Sequence, residues 1–136
     1  MKLSFDFDGT LSRSSVQKVV KDLIKNGNEI HVVTSRFEDS NLWGNSLSIT
    51  MKDNLDLFKI IDKLEIPRKN IHFMNMTPKH EFFDKNLDIV FHLDDDKYEL
   101  AEIEYYSKPV IPVYCDSNYL WYNLLLKLFI DKEIKY

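Results

Sequence analysis

Residues 2–11 read Lys2-Leu3-Ser4-Phe5-Asp6-Phe7-Asp8-Gly9-Thr10-Leu11, and the fold is decided by how this stretch is interpreted. Leu3, Phe5 and Phe7 are apolar and β-prone, and Gly9-Thr10 breaks the run. The pattern predicts a buried strand with Asp6 and Asp8 at its C-terminal end. In an open α/β sheet that edge is where ligands bind. A turn beginning at Asp8 lets both carboxylates approach one site, and a hard cation such as Mg²⁺ would hold them together.

Outward from this strand, Val16, Val19, Val20, Leu23 and Ile24 recur at the spacing of one helical face, which predicts a helix over 14–26. Ser14 with Gln17 reads as its capping box and Gly27 as its stop. Residues 29–34, EIHVVT, read as a second buried strand that ends at Thr34, Ser35 and Arg36. Arg36 is either a phosphate-binding guanidinium or a solvated surface residue. Residues 37–49 form the longest aperiodic stretch, and Phe37 and Trp43 make it a candidate lid that stacks on a base or ring, the alternative being that Trp43 plugs a gap in the core. A helix is expected over 51–64, with Thr50 and Asp53 at its cap and Leu55, Phe58, Ile60, Ile61 and Leu64 on its core side.

Residues 70–76 partly alternate, which suits a strand near the sheet edge. Thr77-Pro78 reads as a helix start, so Lys79 falls in a first turn where a cation opposes the helix dipole and needs another reason to be present. Residues 88–93 form a continuous apolar strand running into Asp94-Asp95-Asp96. Three adjacent carboxylates are costly unless they share a cation. Asp96 with Glu99 reads as a capping box for a helix through Tyr105. His72 reads as a packed or surface residue and His92 as a core residue. A last strand over 110–114 precedes a helix over 118–130, apolar on most of its circumference, which covers the sheet or forms a homodimer contact.

Taken together, Asp6-Phe7-Asp8-Gly9-Thr10-Leu11 resembles the first motif of the haloacid dehalogenase (HAD) superfamily of phosphohydrolases, hhhDxDGT. Thr34 matches the second motif, Lys79 the third with Lys85 as the alternative, and Asp94-Asp95 the fourth in its DD form. The order of these strands and helices predicts a three-layer, doubly wound, Rossmann-like α/β fold with a parallel sheet of about five strands, the Asp6 strand central and the Asp95 strand beside it, and the resemblance implies the same fold without a cap domain. It implies that Asp6 is a phosphorylated nucleophile and that Asp8 is the general acid and base, protonated through low solvent access. Thr34 and Lys79 would hold the phosphoryl group. Mg²⁺ would be bound by Asp6, the Asp8 backbone carbonyl and Asp95, with Asp94 in support. Gly9, Thr10, Ser35, Arg36 and Trp43 are the candidate substrate contacts. The short interval from Leu11 to Arg13 leaves no room for the flap or cap domain usual in that family. The site should therefore be open, for a nucleotide, a nucleic-acid end or another phosphomonoester.

Two other classes fit parts of the pattern. A receiver domain also gathers carboxylates around Mg²⁺, but it would carry its phosphorylated Asp on the third strand, where this chain has Asn75 and Met76. A HAD-like domain that binds a phosphorylated ligand without turnover is the second.

The 136 residues suit one domain, 1–136. Apolar residues at 44% and charged ones at 29% describe an ordinary globular chain. Met1-Lys2 leads straight into the first strand without a signal peptide, and no apolar run reaches the roughly 18 residues of a membrane span. The single Cys115 rules out an internal disulfide and fits a reducing, cytoplasmic compartment. A net charge of −4 argues against bulk electrostatic coating of nucleic acid, which enters only as a possible substrate.

Overall fold

The computed structural model describes residues 1–38, 54–107 and 109–131. Five strands, β1 (Lys2–Phe5), β2 (Glu29–Thr34), β3 (Ile71–Phe73), β4 (Ile89–Asp94) and β5 (Ile111–Tyr114), form one sheet in the order β3-β2-β1-β4-β5, every pair parallel. Parallel strands need crossovers, and among the described residues α1 (Ser14–Lys25), α2 (Leu55–Lys63), α3 (His80–Lys85) and α4 (Lys97–Tyr106) lie in them, while α5 (Leu120–Asp131) follows the last strand. The chain builds outward from β1 in one direction through β2 and β3, then returns to β1's other side with β4. The topological switch point therefore lies between β1 and β4, where Rossmann-like sheets bind ligands.

Each face of the sheet has its own core. Leu3, Phe5, Phe91 and Leu93 meet Val16, Val20 and Leu23 of α1, Leu57 and Ile61 of α2, and Trp121, Leu125 and Phe129 of α5. The opposite face is smaller, with Val33, Ile89 and Val110 against Phe83 of α3 and Ile103 of α4. Successive strand residues face opposite ways. Leu3 and Phe5 thus enter the large core while Ser4, between them, faces the smaller one, which is where α3 and α4 bring polar groups.

Several local expectations change. Ser14 and Gln17 form no capping box: Arg13 occupies the cap, and Gln17 Nε2 donates to Leu11 O at 3.0 Å. Gly27 does end α1, at φ +87°. Leu55 is exposed, because α2 begins only there, after Asn54 in left-handed geometry. The expected cap at Thr50 and Asp53 lies outside the described residues. The third strand stops at Phe73, since Asn75 and Met76 adopt positive φ. Thr77 caps no helix. Its hydroxyl donates to Met74 O, and α3 starts at His80 with Lys79 at its cap. α5 is half covered, with Trp121, Leu125, Leu128 and Phe129 buried but Leu120, Leu124 and Ile130 exposed. Among the described residues no helix is long and apolar enough to cross a membrane.

Candidate functional site

β1 delivers Asp6 to the carboxyl edge. Asp6 N donates to Leu93 O at 2.8 Å, which keeps the residue on the sheet, and the chain then turns through Phe7–Leu11. Leu11 N to Asp6 O and Ser12 N to Phe7 O, both 3.0 Å, close this wide turn. Gly9 permits it for two reasons. Its φ is +73°, and a Cβ there would collide with the Asp95 carboxylate. The close approach of β4's acidic end to the β1 turn therefore requires glycine at this position.

Four charged groups converge. Asp6, Asp94 and Asp95 present carboxylate oxygens within 4.8 Å of one another. Lys79 Nζ donates to Asp6 Oδ1 at 2.8 Å and to Asp94 Oδ2 at 2.6 Å, with only 2% of its side chain exposed. Lysine is almost never buried so fully unless paired. Burial works against its charge, but Asp6 and Asp94 outweigh burial and hold its ammonium above the usual range. Burial also pushes the Asp6 carboxyl up to about 8, against the pull of Lys79. At Asp94 burial is again the largest influence. There it is overcome by His92 and Lys79, which hold that carboxyl well below the ordinary range.

Behind Asp94 lies a buried polar chain. His92 Nε2 donates to Asp94 Oδ2 at 2.9 Å, which leaves Nδ1 to accept the Ser4 hydroxyl at 2.6 Å. Asp96 N donates to Asp94 Oδ1 at 3.0 Å. Both oxygens of Asp94 are thus engaged and its position is fixed. The sequence reading took His92 for a packing residue and passed over Ser4. Period-two spacing, Ser4 with Asp6 and His92 with Asp94, was the signal that placed each pair on one face.

Asp8 is held differently. Its side chain is 55% exposed and forms a two-pronged ion pair with Arg36: Nε to Oδ2 at 2.9 Å and Nη2 to Oδ1 at 2.7 Å. The expectation of low solvent access at Asp8 is corrected, because the wide turn leaves it at the cleft mouth. Arg36 is corrected as well. It is neither solvated nor free for phosphate, but buried and paired to Asp8 and Asp56.

The cleft has a volume of about 580 Å³. Asp6, Asp8, Gly9 and Ser35 line it from β1 and β2, and Asp94, Asp95, Lys97 and Tyr98 from β4 and α4. Ser35 reaches it, whereas Thr34 is buried behind it and its hydroxyl accepts from Arg36 N at 3.3 Å. Thr10 is also buried, and its hydroxyl donates to Asp6 Oδ2 at 3.3 Å, so it supports Asp6 and does not contact substrate. Lys79 reaches the carboxylates, whereas Lys85, the alternative, is exposed at the end of α3. Trp43 lies outside the described residues. Tyr98, 86% exposed at the rim, is an aromatic that the sequence reading did not single out. Asp96 caps α4 as expected, accepting from Tyr98 N and Glu99 N. Glu99 does not close a capping box, because its carboxylate accepts from Lys79 N at 3.0 Å and so ties α4 to the cap of α3.

The donor set fits a hard dication. It is all oxygen, Asp95 is exposed to the cleft, and the carboxylates outnumber the one ammonium among them. Asp6 and Asp95 are the residues that could hold such an ion, with Asp94, already engaged, beside them. Fold and site together define a parallel α/β domain with an acidic, lysine-bearing cleft at its switch point. No known protein-family model matches this chain, and no curated protein resembles it significantly.

Proposed function

We propose that the protein is a Mg²⁺-dependent phosphohydrolase of HAD type, acting on phosphomonoesters through a phosphorylated Asp6. The observation that carries this reading is the convergence of Asp6, Asp94 and Asp95 with buried Lys79 at the switch point of a parallel sheet. A phosphoryl group brings negative charge to a nucleophile that must itself be ionised to attack, so catalysis needs fixed positive charge beside both. Lys79 supplies part of it, and Mg²⁺ when bound would supply the rest.

An Asp6 oxygen attacks phosphorus as the ester P–O bond breaks, and Asp8 donates a proton to the departing oxygen. Water then attacks the phosphorus of the aspartyl phosphate while Asp8 takes its proton, which releases phosphate and restores Asp6. Ser35 lines the cleft, and its hydroxyl could serve as a donor to a phosphoryl oxygen. Exposed Tyr98, with Lys97 beside it, favours a leaving group that can stack, and thus a nucleotide or nucleic-acid-end phosphate. One feature favours a phospholigand-binding domain without turnover: both Asp8 oxygens already accept from Arg36.

Phosphate release separates the two readings. A panel of nucleoside 5′- and 3′-monophosphates, 3′-phosphorylated oligonucleotides, sugar phosphates and phosphopeptides should give Mg²⁺-dependent release from at least one class, and Asp6→Asn should abolish it while the variant stays folded. Binding without release by the wild type would support the binding domain. Undiminished release by Asp6→Asn would move the nucleophile elsewhere.

A further inference from the structure

Arg36 joins the cleft to a residue that does not line it. A guanidinium has five N–H donors, and here all five are used. Nε and one Nη2 hydrogen go to Asp8 at 2.9 and 2.7 Å. The other Nη2 hydrogen and one from Nη1 go to Asp56 Oδ2 and Oδ1, both at 2.8 Å. The last Nη1 hydrogen goes to Asn54 Oδ1 at 3.3 Å. The Arg36 Cζ lies over the Phe7 ring, 5.0 Å from the centroid. Asn54 is itself fixed, buried in left-handed geometry with Nδ2 donating to Phe37 O at 3.0 Å. Arg36 thus has no donor to offer a phosphate without breaking one of these bonds, and a buried side chain with a donor left unpaired is costly.

We infer that Arg36 is a positioning residue and that Asp56, in the first turn of α2, orients Asp8 through it. The inference rests on the phosphohydrolase reading only in assigning Asp8 an acid–base role. Asp8 is exposed on a glycine turn and would otherwise be free to adopt other rotamers. A planar fork uses one lone pair on each Asp8 oxygen and leaves the other able to carry a proton. It thus fixes the plane of the carboxylate without closing it, and a second fork on Asp56 fixes the guanidinium. Proton transfer to a leaving oxygen depends on that plane being correct when substrate arrives.

The test is Asp56→Asn, which keeps the side-chain shape but puts an amide N–H where Arg36 also donates. Asp56→Glu, retaining the charge but shifting the fork, serves as the milder variant should the first fold poorly. Steady-state release, Mg²⁺ affinity by calorimetry and a crystal structure are measured for each. For Asp56→Asn, kcat should fall on the order of tenfold to a hundredfold, as expected for a misplaced catalytic group. KM should stay within about twofold, since no substrate contact is lost, and Mg²⁺ affinity should not change. Asp56→Glu should lose kcat in the same direction but less, and Arg36→Lys should not restore the function of arginine, because one ammonium cannot form two forks. In the crystal the Asp8 carboxylate should be rotated away from its wild-type plane. A raised KM with intact kcat would show that Arg36 contacts substrate and overturn the inference, as would an Asp8 carboxylate unmoved in both variants. Displacement of Asp8 in a protein whose wild type hydrolyses nothing on the panel would uphold the clamp and defeat the phosphohydrolase reading instead.

Discussion

Lys79 and Arg36 are both 2% exposed, and each is buried by grasping two carboxylates from elements distant in sequence. Sequence alone could suggest Lys79, because a cation in a helix's first turn needs a partner. It could not place Arg36, whose partners Asp8 and Asp56 lie 28 and 20 positions away and meet it only after the sheet forms. Histidines were harder still. His72 shares a 2.9 Å hydrogen bond with His31 and packs 4.4 Å from the Phe82 ring centroid. Burial, and then the nearby His31, lowers its imidazole to about 4 from 6.5. The unfolded chain therefore binds a proton at His72 between those values when the native state does not, and native stability linked to this residue is lost as pH falls from 6.5 toward 4. His72→Phe should accordingly gain stability relative to wild type between pH 7 and pH 5. Comparing the two proteins isolates His72 from Asp6 and His92, which titrate with effects of their own. A difference in melting temperature that stays constant with pH would contradict the assignment.

Elements were legible where one period dominated. β2 has the bounds its apolar run implies, and α1, β4 and α4 match to within a residue or so at their ends. Thr77-Pro78 misled because a tight turn, with two residues at positive φ just before it, uses the same residue types as a helix cap. The acidic run at the end of β4 makes the sharpest test at this scale. Asp94 ends the strand buried, Asp95 faces the cleft, and Asp96 caps α4. Asp95→Ala should therefore weaken Mg²⁺ binding with little loss of stability. Asp96→Ala should leave Mg²⁺ affinity largely intact and cost about 1 kcal/mol, the ordinary cost of a lost helix cap. Calorimetric titration with Mg²⁺ and thermal unfolding of both variants check this. A greater loss of metal affinity in Asp96→Ala would shift the metal-binding register by one residue.

At the scale of the whole molecule, the strand order puts the ends of β1 and β4 side by side, and function on this reading is a consequence of that adjacency. Neighbouring strands lie about 4.8 Å apart, so carboxylates at their tips share one ion's reach without further adjustment. The order of apolar runs and helical faces was enough to expect a doubly wound sheet with the Asp6 strand at its centre. The two unequal cores were not visible, because which face carries Ser4, His92 and Asp94 depends on where α3 and α4 dock. The central claim is that Asp6 becomes phosphorylated. It is tested most directly by quenching turnover of the best panel substrate with borohydride, which reduces an acyl phosphate to the alcohol, and sequencing the peptide over residues 2–13 by mass spectrometry. The account predicts homoserine at position 6, formed only when both Mg²⁺ and substrate are present. Homoserine at another aspartate, or none while phosphate is still being released, would contradict it.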